Sequence, residues 1–178
     1  EDMEIPKDGA FYHSLNTLLG VGFANLTSDE YASLIEWDVA AMLLGGATTI
    51  VEENFGGHDR WIEICGRLGF RGQIGRTYPG SVGSIGYLRD GKIVLDSGGD
   101  IPSQFAAALQ LVDSHDGMFD GRLGVHLSPH GPDTVPEEIL RETARESAER
   151  GLGVHLHLAQ HLNERKTIAE RTGGKTSI

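Results

Sequence analysis

Cysteine is almost absent from this sequence, with Cys65 alone among 178 residues. One thiol excludes an internal disulfide and any cysteine-rich zinc site, and it fits a reducing compartment, so a cytoplasmic location is expected. Long apolar runs are missing as well: no stretch approaches the roughly 18 residues of a membrane span. Basic clusters are the third absence. Lys and Arg total 15 against 26 acidic residues, a formal net charge of −11, and they are scattered singly. The positive footprint that a phosphate backbone or anionic membrane requires is lacking, so neither nucleic acid nor membrane is an expected partner. The 25 glycines nowhere form G-x-G-x-x-G between a strand and a helix. "GQIGRTYPGSVGSIG" also lacks a Walker lysine and reads as a loose connecting loop.

What is present is an ordinary globular composition, 39% hydrophobic and 23% charged, with a recurring order of short apolar run, Gly-containing turn and amphipathic stretch. "TSDEYASLIEWDVAAMLLGG" has Thr27 and Glu30 at capping-box spacing and ends on Gly45 and Gly46, which predicts a helix. Strands are expected at 47–53, 70–76, 122–129 and 152–158, and helices at 58–69, 101–115, 134–151 and from 162 onward. Thr134 and Glu137 repeat the capping-box spacing, Pro136 suits a first turn and Gly151 a helix end. "GYLRDGKIVLD" carries an Asp90-Gly91 turn between apolar runs and reads as a hairpin set apart from the main repeat.

Strands alternating with helices imply parallel βαβ units. A doubly wound sheet fits this length, whereas a complete (β/α)8 barrel needs about 250 residues. The histidines favour barrel geometry: His126, His130, His155 and His157 all fall toward strand carboxyl ends, the edge where α/β folds gather catalytic groups. His155 and His157 share a face, with Val154, Leu156 and Leu158 on the other. An imidazole there can ligate a divalent metal or hydrogen-bond within a polar layer, and spacing leaves both open. His13, His58 and His115 lie in loops or helix ends and are not candidate ligands. Glu52 and Glu53 end a strand at the same edge, where solvated or salt-bridged roles are expected.

"GVHLSPHGPDTVPEEILRETARESAERGLGVHLHLAQHLNE", 124–164, resembles the amidohydrolase superfamily, in the branch of guanine and cytosine deaminases, adenosine-type deaminases and triazine chlorohydrolases. That branch commonly shows Pro-His-Ser/Ala-Pro after strand four, a helix opening near Ser/Thr-x-Glu-Glu, and His-x-His-Leu-x-Glu on strand five. "LTSDEYASLIEWDVAAMLLGGATTIVEEN" is similar to its helix before strand two, with the Gly-x-Thr-Thr turn. The resemblance implies part of a (β/α)8 TIM barrel of the metallo-dependent hydrolase type. Residues 1–178 would then form a partial catalytic domain covering strands two to five. The His-x-His of strand one, the histidine of strand six and the aspartate of strand eight would lie outside the sequence. The non-Met start at Glu1 and the "TGGKTSI" end carry the same expectation of an incomplete chain.

By the same resemblance, His157 matches the strand-five ligand of a divalent metal, zinc first and iron as the alternative. His130 matches a substrate-contacting histidine. His155 has no ligand counterpart and is read as supporting His157 or packing. Gln160 stands where relatives often carry a proton-shuttling Glu. An amide does not titrate near neutral pH, so Gln160 could orient substrate or water without being the acid/base; His161 is another candidate for that task. The implied activity is metal-dependent hydrolysis of C–N bonds other than peptide bonds. A deaminase acting on a small nitrogen heterocycle is expected, in a homo-oligomer. The alternatives are a dechlorinating or amide-hydrolysing member of the same family and, in another class, a non-catalytic α/β binding domain.

Overall fold

Thr27 does what its spacing predicts: its hydroxyl accepts from the Glu30 N–H while the Glu30 carboxylate accepts from the Thr27 N–H, closing a capping box. In the computed structural model, which describes residues 25–54, 57–78, 84–89, 92–96, 100–160 and 162–176, this box starts helix α1 (Ser28–Leu44). There follow β1 (Thr49–Asn54), α2 (His58–Leu68), β2 (Arg71–Tyr78), β3 (Ser84–Arg89), β4 (Lys92–Asp96), α3 (Ile101–His115), the short turn α4 (Met118–Gly121), β5 (Leu123–Pro129), α5 (Glu137–Arg150) and α6 (Leu162–Thr172). The expected helices and all but one of the expected strands form within a few residues of their predicted bounds.

β1, β2 and β5 form one parallel sheet in the order β1-β2-β5, with Glu53 opposite Gly75 and Gly75 opposite His126. β3 and β4 pair antiparallel in a separate two-stranded sheet, as the hairpin reading expects; its Asp90-Gly91 turn lies outside the described residues. The Gly-rich stretch 72–86 is only partly the loop foreseen, because its first residues are built into β2. There Gly72 gives room to Trp61 of α2, whose ring meets Phe70 edge-on at 5.1 Å.

One face of the sheet is apolar. Ile50, Ile74, Leu123, Val125 and Leu127 are buried in a single cluster with Ile35 and Val39 of α1, Trp61, Ile62, Ile64 and Cys65 of α2, and Leu111 and Val112 of α3. Tyr78 continues that face, stacking edge-on against Phe105 and bonding through its hydroxyl to Thr143 of α5 at 2.8 Å. These helices thus pack on one side of the strands. Sequential strand order, without the reversal of a doubly wound sheet, is the arrangement of a barrel wall.

Two expectations need correction. Residues 152–158 do not form a full strand: Val154 makes only an isolated parallel bridge to Leu127. Leu127 N–H donates to the Gly153 carbonyl at 3.0 Å and His155 N–H to the Leu127 carbonyl at 2.9 Å. The next donor from β5 would be residue 129, and Pro129 has no N–H. The pairing slips, and His157 N–H donates to the His130 carbonyl at 2.9 Å. The second correction concerns Thr134. Helix α5 starts after Pro136 with no side-chain cap, because the Thr134 hydroxyl is engaged with Gly131 and His130.

Candidate functional site

Parallel register assigns the opposite face to another set of residues. Glu53 on β1, Gly75 and Thr77 on β2, and His126 and Ser128 on β5 alternate with the apolar residues above, so they point away from the helices. A side chain at Gly75 would collide with the His126 ring and Ser128 Cβ; glycine there lets the imidazole lie across β2. Gly124 does the same for Gln73. Small residues beside large ones fill this face in layers, as barrel interiors do.

Four histidines assemble on it in two pairs. The His126 and His155 rings lie 5.5 Å apart and those of His130 and His157 5.1 Å apart. The slip at Pro129 sets this pairing, giving each histidine of the 153–157 segment its own partner from β5 or its end. His126 is buried and its Nε2 has no hydrogen-bond partner among the described residues. Burial, followed by the nearby His155, lowers its pKa to about 4, so it is neutral at pH 7. His130 is buried too, and its Nδ1 lies 3.0 Å from Thr134 Oγ1. With the Thr134 hydroxyl donating to the Gly131 carbonyl at 3.2 Å, Nδ1 is the donor to Oγ1 and Nε2 is the lone-pair nitrogen.

His157 is the accessible member, with its side chain 46% exposed, and its Nε2 faces Glu53 Oε1 at 3.6 Å. Glu53 itself is 10% exposed, and Oε1 has no hydrogen-bond partner among the described residues. Burial pushes its carboxyl above the usual range, while His155 and the nearby Ser128 hydroxyl pull the other way. The Ser128 approach does not close a well-formed bond, since its Oγ is also unpartnered among the described residues. Glu52 points to the opposite face and is raised by burial, with Glu53 and Asp38 adding repulsion.

Gln160 is half-buried, in a turn that opens with Ala159 at φ 56°. Left-handed backbone at a non-glycine residue costs on the order of 1 kcal/mol. The turn is held by Glu164, a buried carboxylate that accepts the Ala159 N–H at 2.8 Å and the Gln160 N–H at 2.7 Å. Nothing in the sequence reading picked out Glu164, although an acid in the first turn of a helix is a recognisable signal. Glu53 lies at ion-pair distance from His157, in keeping with the salt-bridged role expected of it; its parity opposite Ile50 is the sign that it enters the histidine face. His58 is buried at the start of α2, His115 ends α3, and His13 and His161 lie outside the described residues.

The residues fit part of a metal site. An imidazole with a reachable Nε2 next to a buried carboxylate with an orphaned oxygen is a donor chemistry suited to zinc. Among the described residues, no group of three or more His, Cys, Asp or Glu is spaced to hold an ion. Among them, too, no helix is long and apolar enough to cross a membrane.

Comparison with known proteins gives the family and the fold. A 5-methylthioadenosine/S-adenosylhomocysteine deaminase from Desulfitobacterium hafniense is 30% identical over 137 residues, covering 77% of this chain and 28% of the relative. An 8-oxoguanine deaminase from Pseudomonas aeruginosa is 28% identical over 170 residues, 91% of this chain and 37% of the relative. Among solved structures, zinc-complexed atrazine chlorohydrolase from Arthrobacter aurescens superposes with a TM-score of 0.71 at 19% identity, over 97% of this chain and 41% of its own. The chain therefore spans less than half the length of these proteins, and its fold is part of the (β/α)8 barrel they share. Residues 9–177 match the profile of the amidohydrolase family, and the chain belongs to that family.

Proposed function

We propose that the protein to which these residues belong is a metal-dependent hydrolase acting on C–N bonds other than peptide bonds, an aminohydrolase of a small nitrogen heterocycle. The observation that carries the reading is the His157 imidazole, reachable and facing the Glu53 carboxylate across the polar sheet face. Support comes from relatives named as deaminases of adenosine-type and oxopurine compounds. We read residues 1–178 as part of a catalytic barrel domain, working in the cytoplasm as a homo-oligomer.

His157 would hold the divalent cation through Nε2, zinc first and iron as the alternative. When bound, such a cation lowers the pKa of water to near neutrality and polarises the bond to be broken. His130, its Nδ1 held by Thr134 Oγ1, would contact the substrate through its ring. His155 supports the layer beneath and Gln160 orients substrate or water by hydrogen bonding, since its amide carries no titratable proton near pH 7. Replacing His157 by Ala in the complete protein is expected to abolish turnover and to reduce bound metal; unchanged metal content overturns the assignment.

Gln160 favours a second reading within the same family, hydrolysis of a C–halogen or amide bond. Ammonia, halide and carboxylate release measured across a panel of heterocycles separates the two, and ammonia release supports the aminohydrolase.

A further inference from the structure

The hydroxyl of Thr134 lies beside the histidine face, and its use there is not explained by the local sequence. Its spacing to Glu137 is that of a helix cap, yet α5 starts with no side-chain cap, although a threonine in that role stabilises a helix start. Thr134 is 4% exposed and turns its Oγ1 to His130 Nδ1 at 3.0 Å. The loop does not need that contact to close. The Gly131 carbonyl accepts the Thr134 N–H at 3.3 Å and the Val135 N–H at 3.0 Å. The His130 backbone is held on both sides, its N–H donating to the Tyr78 carbonyl at 3.2 Å and its carbonyl accepting the His157 N–H at 2.9 Å. What the backbone leaves open is the ring. Rotation of an imidazole about χ2 is broad and roughly two-fold, and a flip puts Cδ2 where Nδ1 was and Cε1 where Nε2 was. Only one of the two orientations gives Thr134 a nitrogen to bond.

We propose that Thr134 is a positioning residue for substrate recognition: its hydroxyl selects the orientation of the His130 ring in which Nε2, and not a carbon, is presented to the substrate. The inference rests on the reading of His130 as a substrate contact given above and adds the residue that makes that contact specific. A neutral imidazole carries one ring proton, so a hydrogen bond that settles the state of Nδ1 settles that of Nε2 as well. His130 then meets the substrate with a single polarity, and a heterocycle is accepted or refused by the group it offers at that point. Without the hydroxyl the ring still packs edge-on against His157 at 5.1 Å, but it exchanges between both orientations and both tautomers. Because His130 is buried, a substrate polar atom set against a ring C–H there has no water to replace the lost nitrogen.

The test uses the complete, metal-loaded protein with isotopically labelled histidine. Nitrogen NMR shifts of the His130 ring, assigned by their loss in His130→Asn, distinguish protonated from lone-pair nitrogens. The parent is expected to show one of each, a single tautomer. Thr134→Ser keeps the hydroxyl and is expected to match it, whereas Thr134→Val keeps the shape and is expected to draw the two signals together as tautomers mix. Turnover is read as ammonia release from adenosine and from guanine. Thr134→Val is expected to lower kcat/KM about tenfold through a rise in KM, the order of effect of one hydrogen bond, and Thr134→Ser to restore it. Unchanged His130 shifts in Thr134→Val, or mixed tautomers in the parent, overturn the Thr134 assignment and leave the His130 reading standing. Equal losses of kcat/KM in the Val and Ser variants overturn it as well, because the hydroxyl is then not the group that matters. Unchanged kcat/KM in His130→Asn overturns the His130 reading, and the recognition role of Thr134 with it.

Discussion

The two faces of the three-stranded sheet are made by the same strands and differ in almost every physical respect. On the helix side, Ile50, Ile74, Val125 and Leu127 are 4%, 0%, 4% and 0% exposed and lie in one hydrocarbon cluster. On the other, Glu53 Oε1, Thr77 Oγ1, His126 Nε2 and Ser128 Oγ are buried without hydrogen-bond partners among the described residues. Burial of the first set drives folding, at roughly 25 cal/mol per Å2 of apolar surface removed from water. Burial of the second opposes it, because each unsatisfied polar atom costs about 1–3 kcal/mol. On the function proposed above, the polar face is kept for what binds there, and stability and function fall on opposite sides of one backbone.

The contrast can be broken from the apolar side first. Leu127→Ala removes a side chain with no exposure from the centre of the helix-facing cluster, and a loss of about 2–5 kcal/mol is expected in urea unfolding of the complete protein. A loss below about 1 kcal/mol would mean that the cluster can collapse around the gap and that the sheet draws its stability from elsewhere.

Acid sharpens the contrast from the polar side. The folded pKa of His126 is lowered to about 4 from its ordinary 6.5, so as pH falls the unfolded chain takes up this proton first. The stabilising effect is complete above pH 6.5 and is lost between 6.5 and about 4, amounting to roughly 2 kcal/mol by pH 5. Urea unfolding at pH 7 and pH 5 measures it, and His126→Asn is expected to remove that share of the pH dependence. An equal slope in the variant would assign the acid sensitivity to other groups.

The smallest expected effect is the most diagnostic of the face's character. Ser128→Ala deletes a hydroxyl that is buried yet unpartnered among the described residues. The stability of the variant is expected to rise by about 1 kcal/mol, since an unsatisfied buried hydroxyl is removed and no protein hydrogen bond is lost. A loss above about 1.5 kcal/mol would show that this hydroxyl is satisfied in solution and that the face is stabilised by its own polar network.

Much of the fold could be read from local pattern. The Thr27–Glu30 box, the Gly151 helix end and the β-branched runs each report on a few neighbouring residues, and each formed where expected. The failures are cases where a distant group outcompeted a local signal. Thr134 had the spacing of a helix cap, but the His130 ring and the Gly131 carbonyl engaged its hydroxyl instead. The 152–158 run had strand character, but Pro129 on its neighbour had no donor to extend the pairing.

The candidate site divides in the same way. Period-two alternation puts His155 and His157 on one face by chain geometry alone, and resemblance of the 124–164 block pointed to His157, His130 and Gln160. Those are properties of the sequence itself, because strand parity and helix capping depend on residues only a few positions apart. Which histidine meets which, and that Glu53 comes within 3.6 Å of His157 from more than a hundred residues away, was decided by the tertiary structure. Parallel register across β1, β2 and β5, the open space at Gly75 and the slip at Pro129 set those distances. All three are relations between strands, which no pattern within a single strand encodes.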